Sequence, residues 1–510
     1  MQVVSTNNKK IARNTLFLYL RMFLVLVVSL FTTRVVLHAL GVQDYGINNV
    51  VCGFVSMFSF LNTSMANGVQ RFYNFSLGRK TEYSIGEVYT ASFIIQIIIA
   101  VLLFVILELV GTWYIYNMMN IPSDRLSAAY WIFQFSVVSL VLILFQIPYS
   151  AAIMAYEKMD YYAYLSIFDV VAKLIIAYSV KYASIDRLIL YGSLNLLLSI
   201  ISFLLYFIYA KIQFPDLRFD FKVRKRLFKP MLAFSGWNVF GSFAYLIKGQ
   251  GLNLLLNFFF GAIVNAARGV SNMVMSAIQG FQANIVIAFR PQLVQSYAEG
   301  NHARVLRLFY SLSKISFVLL SILSIPVIVE VNYILKIWLG DNIPDYTVPF
   351  TILALLNMIV SSLNTPVSQV VHATGKMKSY QIGTSVVICS ILPIAWLFLK
   401  LGCDPTLVYW ISLIVTVLNQ VICNILLKKV FDYSIIDYTV KVILPCTSFL
   451  VLVPIVPLAI TMCMPSSFYR LIITGLSSVV ISFAVSYLVV LDKAEKEMLI
   501  GFIRKRFTHE

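Results

Sequence analysis

Fourteen runs of mostly apolar residues, each about as long as a bilayer-spanning helix, dominate this chain and leave little sequence for anything else. They fall at about 15–38, 47–70, 87–110, 128–150, 161–181, 187–210, 231–257, 264–289, 307–330, 347–370, 380–400, 406–427, 439–462 and 469–491. A spanning helix needs roughly 20 apolar residues, and in lipid every backbone polar group must be satisfied within the segment. The expected class is therefore an all-α membrane protein of about fourteen transmembrane helices. Charged residues make up only 12% of the 510 positions and mean hydropathy is +0.85, against about 25% charge in ordinary soluble domains. The first run, too long for a cleavable signal of about 7–15 apolar residues, reads as a retained helix.

The formal net charge of +17 raises the question of nucleic acid. Its distribution answers otherwise: most of the 39 Lys and Arg lie on alternate sides of successive runs, as the positive-inside rule requires when both termini are cytoplasmic. We expect no nucleic-acid partner. The six cysteines (Cys52, Cys389, Cys403, Cys423, Cys446, Cys463) are scattered without a CxxC pair, so neither a disulfide framework nor a metal site is expected. His38, His302, His372 and His509 are isolated, and no GxxxxGK[ST] phosphate loop occurs, so no cofactor is expected and no ATP hydrolysis of the usual kind. The chain reads as a transporter, not an enzyme. An ion gradient, the membrane potential or the substrate gradient must drive it.

The segment 211–230 carries seven Lys or Arg and separates six runs from eight. A short internal echo, Gly46-Ile-Asn-Asn-Val-Val51 opening the second run and Gly269-Val-Ser-Asn-Met-Val274 in the eighth, with Phe58 and Phe281 at the same offset, points to a repeat. The expected organisation is a six-helix lobe at 1–210, a basic cytoplasmic linker at 211–230, a second six-helix lobe at 231–428, and two extra helices with a basic tail at 429–510. Secondary transporters built from repeats bind substrate between them.

Six basic residues stand inside or at the rims of runs: Arg21, Arg34, Arg71, Lys248, Arg268 and Arg290. An Arg or Lys at mid-bilayer costs about 2.5–3.5 kcal/mol on insertion scales and so marks protein or water contact. Arg21 and Arg34 lie about 140° apart around one helix. A polar stripe, Ser56, Ser59, Thr63, Asn67, Gln70 and Asn74, follows helical spacing in the second run, and Asn272, Ser276 and Gln279 continue from Arg268 in the eighth. Interhelical hydrogen bonding at about 0.6 kcal/mol per contact is the competing explanation for such stripes; their repeat-related positions favour a wet cavity. Lys173, four residues after Asp169, reads as a structural ion pair. Lys314 is a further cationic candidate, and Glu108 and Glu330 read as carboxylates solvated at outer helix ends. The interior balance is positive, which suits an anionic group such as a pyrophosphate.

Several short segments carry a family resemblance: Asn14-Thr15, Leu40-Gly41-Val-Gln-Asp-Tyr-Gly46, Phe234-Ser-Gly-Trp-Asn238, and Asn265-Ala-Ala-Arg-Gly269 continuing to Arg290-Pro-Gln-Leu-Val-Gln-Ser-Tyr-Ala-Glu-Gly300. With these the chain resembles the Wzx-type polysaccharide flippases, in the multidrug/oligosaccharidyl-lipid/polysaccharide exporter superfamily. The resemblance implies a MATE-like, two-lobed transporter in a bacterial inner membrane with a cationic cavity. It implies that undecaprenyl-pyrophosphate-linked oligosaccharide is flipped to the periplasmic leaflet for O-antigen, capsule or exopolysaccharide. Membrane lipids, Na⁺ or H⁺ as coupling ion, and the polysaccharide polymerase and chain-length machinery are the implied partners. A cation-coupled multidrug extruder of the same fold and a peptidoglycan-precursor (lipid II) flippase are the alternatives. A membrane glycosyltransferase would need a DxD-type acidic site, and none is visible.

Overall fold

The computed structural model describes residues 2–78, 83–117, 119, 121–220, 225–340, 343–492 and 495–497. It is all-helical, with no strand among the described residues. Eleven described helices are long and apolar enough to cross a membrane. Of the fourteen expected runs, the three not among these eleven, at 15–38, 231–257 and 264–289, lie within two very long helical stretches. The chain divides into two compact units, residues 1–243 with 290–301 and residues 244–289 with 302–510.

The first unit contains α1 (Gln2–Ser56), α2 (Ser59–Leu77), α3 (Ile85–Ile106), α4 (Thr112–Asn117), α5 (Leu126–Ala155), α6 (Met159–Lys181), α7 (Arg187–Gln213) and both ends of α8 (Lys225–Ala298). Gly41 interrupts α1 with φ 80° and ψ 168°, a backbone region open essentially to glycine. The break falls between the first and second expected runs. Ser84 and Glu87 form a reciprocal capping box that starts α3, and Asp186 caps α7 by accepting from the Leu188 and Ile189 amides. In lipid, apolar burial drives helix association weakly, so close backbone approach matters more. A Cβ at Gly192 on α7 would sit 2.5 Å from the Ile132 Cδ1 of α5, so this glycine leaves room for the Ile132 side chain between the two helices. Val51, Phe133, Val137, Ala177 and Leu198 lie in one buried core.

The second unit takes the middle of α8 and then α9 (His302–Val329), α10 (Val331–Leu339), α11 (Thr347–Ser361), α12 (Asn364–Thr374), α13 (Met377–Cys389), α14 (Ile391–Lys400), α15 (Leu407–Lys428), α16 (Ile435–Tyr438), α17 (Leu444–Leu452), α18 (Ile455–Cys463) and α19 (Phe468–Val485). Its core joins Leu252 and Leu256 to Phe350, Ala354, Ile411 and Val415. A straight helix would separate Asn253 from Arg268 by about 22 Å. Their side chains are instead hydrogen-bonded at 2.5 Å, so α8 turns back on itself between them and forms a hairpin.

Two ion-pair groups pin α9 and its C-terminal end. Lys314, 4% exposed, pairs with Glu495 at 2.8 Å and Asp492 at 3.6 Å. It is therefore a neutralised structural cation, not a substrate contact in waiting. Glu330 corrects the expectation of a solvated carboxylate. Its side chain is fully buried and accepts from Arg470 Nε at 2.9 Å, Arg470 Nη2 at 2.7 Å and the Thr474 hydroxyl at 3.1 Å. Glu108 is likewise not simply solvated: it accepts from Gln134 Nε2 at 3.0 Å, and its other oxygen is buried. The Asp169–Lys173 pair forms as expected, at 2.8 Å on the surface of α6.

Candidate functional site

The α8 hairpin of the second unit brings two of the predicted basic residues together. Arg268 is 7% exposed. Its Nε donates to Asn253 Oδ1 at 2.5 Å and its Nη2 to the Gly249 carbonyl at 3.2 Å. Lys248 is half-buried one residue before that carbonyl and lies within electrostatic reach of Arg268. The Tyr409 ring of α15 packs at the same place, its hydroxyl buried beside the guanidinium. Neither Lys248 nor Arg268 has a carboxylate partner among the described residues. Two neighbouring basic side chains with no carboxylate partner among the described residues attract an anion with which they can form charge-assisted hydrogen bonds.

Further along α8, Asn272 is half-buried while Ser276 and Gln279 are exposed. The stripe in the first unit grades the same way. Ser56, Ser59 and Thr63 are exposed, Asn67 is half-buried, and Gln70 and Asn74 are buried at 2% and 0%. Ser56 ends α1, and a turn at Met57–Phe58 separates it from the α2 members. The stripe thus has a polar exposed end and an enclosed end.

The remaining basic residues belong to the first unit. The Arg290 guanidinium donates to Asn67 Oδ1, tying the last part of α8 to the α2 stripe. Arg71 sits among aromatic rings, 4.4 Å from the Phe75 centroid, 4.9 Å from Phe234 and 5.3 Å from Phe72. Arg21 lies 4.8 Å over the Tyr162 ring of α6, and its Nε is buried without a hydrogen bond. Cation–π contacts of this kind hold a guanidinium without cancelling its charge. The side chain of Arg34 lies outside the described residues. The structure therefore places Arg21, Arg71 and Arg290 in the first unit and Lys248 and Arg268 in the second.

Three features escaped the sequence. Arg125 donates to Asp44 from Nε (2.8 Å) and Nη2 (2.5 Å), and to Asp186 from Nη1 (2.7 Å). This one side chain joins the segment after Gly41, the start of α5 and the start of α7. Arg187 adds a bond to the Ala39 carbonyl at 3.2 Å. Burial opposes ionisation of Asp186, but the Arg125 hydrogen bond and the Ile189 and Leu188 amides outweigh it and hold its carboxyl below the usual range. Glu157, 4% exposed and with φ 58°, accepts from Gln292 Nε2 at 2.5 Å. Asn253 orients Arg268. The only signal for any of these was Asp44, inside the Leu40–Gly46 segment. No group of three or more metal-ligating side chains occurs among the described residues.

No family model and no curated protein matches the chain. Solved structures do. A MATE transporter in its bent conformation superposes with a TM-score of 0.70 at 14% identity, covering 83% of this chain and 95% of that one. A MOP superfamily transporter from Pyrococcus furiosus, described as having a binding pocket of reverse polarity that suggests a different function, gives 0.67 at 11% identity over 82% and 95%. An outward-facing multidrug resistance MATE family transporter of the same superfamily gives 0.66 at 14% over 82% and 94%. The fold is that of the MATE-type MOP superfamily transporters.

Proposed function

We propose that this MATE-like chain is a flippase that moves a lipid-linked, pyrophosphate-bearing oligosaccharide from the cytoplasmic to the periplasmic leaflet of a bacterial inner membrane, by alternating access. The observation that carries the reading is the Lys248–Arg268 pair: a half-buried lysine and a buried arginine within electrostatic reach of each other, with no carboxylate partner among the described residues and with neutral acceptors at Arg268. Uncompensated charge costs several kcal/mol to bury, and an anionic cargo is the partner that offsets that cost. A pyrophosphate presents several oxygens to an Arg fork and an ammonium at once. The saccharide fits the hydroxyl and amide groups exposed at Ser276 and Gln279 of the same unit, while the lipid tail stays in the bilayer. Both termini are cytoplasmic on this reading, Na⁺ or H⁺ is the coupling ion, and polymerase and chain-length proteins receive the product.

The test replaces Arg21, Lys248 and Arg268 singly with Ala in the native host. Surface polysaccharide is expected to fall at least about tenfold, given roughly 1.5–3 kcal/mol for a hydrogen bond to a charged group. Unchanged polysaccharide at unchanged protein level refutes the assignment. The competing reading is a cation-coupled multidrug extruder, favoured by the likeness to the multidrug resistance transporter. It predicts altered drug sensitivity in a deletion strain with intact surface glycan.

A further inference from the structure

The partners that face the buried and half-buried cations of this chain differ, and one contrast is informative. At three of them a carboxylate faces the cation. Arg470 meets Glu330, Lys314 meets Glu495, and Arg125 meets Asp44 and Asp186. At Arg268 the acceptors are an amide oxygen and a main-chain carbonyl, although Arg268 is itself buried. The residue facing it is Asn253, which differs from aspartate by one atom and would make a carboxylate pair at the same 2.5 Å. The amide is not turned at random. Its Nδ2 donates to Gln250 Oε1 at 3.3 Å, which fixes the oxygen toward the guanidinium.

We propose that Asn253 is a positioning residue: it aims the Arg268 guanidinium while leaving its positive charge uncancelled, so that the charge is available to an anionic phosphate ligand shared with Lys248. This inference rests on the anionic-cargo reading of the same site. It adds that Asp at 253 would occupy the cation with an ion pair and so weaken anion binding. A purely structural hydrogen bond predicts the reverse, since a charged acceptor holds an arginine more firmly than a neutral one.

The experiment uses the full chain in detergent, inorganic pyrophosphate as the probe in titration calorimetry, and thermal unfolding in parallel. Four proteins are compared: wild type, Arg268→Ala, Asn253→Asp and Asn253→Ala. The expected pattern is specific. Asn253→Asp unfolds at the same or a higher temperature than wild type yet binds pyrophosphate about tenfold to a hundredfold more weakly. Asn253→Ala unfolds earlier and loses only a few-fold in affinity. Two results overturn the role of Asn253 while leaving the site standing, with Arg268→Ala binding weakly in both. In one, Asn253→Asp binds within about threefold of wild type. In the other, it is as unstable as Asn253→Ala. Wild-type protein that takes up no pyrophosphate, or Arg268→Ala that binds it normally, overturns the anionic-cargo reading and this inference with it.

Discussion

Replacing Arg470 with Met should be among the most destabilising single changes in the second unit, and adding Glu330→Leu should reverse most of the damage. Glu330 is fully buried, and its two oxygens accept three hydrogen bonds, two of them from Arg470, which is itself 11% exposed. Removing the guanidinium leaves Thr474 as the sole donor to an enclosed carboxylate and strips the Met464 carbonyl of its 3.0 Å donor. Breaking a buried pair in this way costs about 3–5 kcal/mol, whereas replacing both partners with apolar residues of similar volume is often neutral or stabilising. For a unit of this size each kcal/mol moves the unfolding temperature by about 2–4 °C, so Arg470→Met should unfold roughly 10 °C early. The double variant should lie within a few degrees of wild type. The coupling energy from the double-mutant cycle should then reach about 2–4 kcal/mol. Thermal unfolding followed by size-exclusion fluorescence of the detergent-solubilised protein measures all four corners. A double variant as unstable as Arg470→Met refutes the reasoning, because the loss would then come from packing around Arg470 and not from an abandoned carboxylate.

Arg125→Gln removes a bridge between two aspartates that are 17% and 33% exposed. At about 1 kcal/mol per partly exposed pair, the loss should be roughly 2 kcal/mol, read as an earlier unfolding transition at neutral pH. Because the Asp186 carboxyl titrates below its ordinary value in the folded protein, its contribution is present above about pH 4 and is lost as pH falls through the lowered folded value. An acid titration should therefore show a shallower decline for Arg125→Gln than for wild type, and parallel curves would exclude the bridge as the cause. Gly41→Ala should cost about 1–3 kcal/mol from backbone strain alone, since a Cβ there meets nothing within 4 Å. Gly236→Ala, equally unobstructed but without a positive φ, should gain up to about 1 kcal/mol from helix propensity. Denaturation midpoints of the two variants moving in the same direction would refute the distinction.

What the sequence disclosed and what it withheld differ in range. Apolar length is a local property, so the helical runs were readable, as were the gap between the first two runs and the Asp169–Lys173 pair four residues apart. Periodicity located the Ser59–Asn74 face of α2. It could not show that exposure runs from open at Thr63 to nil at Asn74, because that depends on what packs against each turn. The ion-pair partners were beyond reach for the same reason. Glu330 meets Arg470 across 140 positions and Lys314 meets Glu495 across 181, and neither glutamate carries a local mark of its partner. Lys314 looked like Lys248 in sequence. The fold shows that Lys314 meets carboxylates while Lys248 meets none among the described residues.

The course of the polypeptide between the two units has a consequence for biogenesis. The chain passes from one to the other at 243–244, returns at 289–290 and leaves again at 301–302. Arg290 and Gln292, which bond Asn67 and Glu157, are thus made long after the helices they join. During synthesis the N-terminal helices must wait in the bilayer for this late segment before they can close on it. Cutting the chain between 214 and 220 and expressing the halves separately would leave the first piece without residues of its own interior. Co-expression should be needed to restore it.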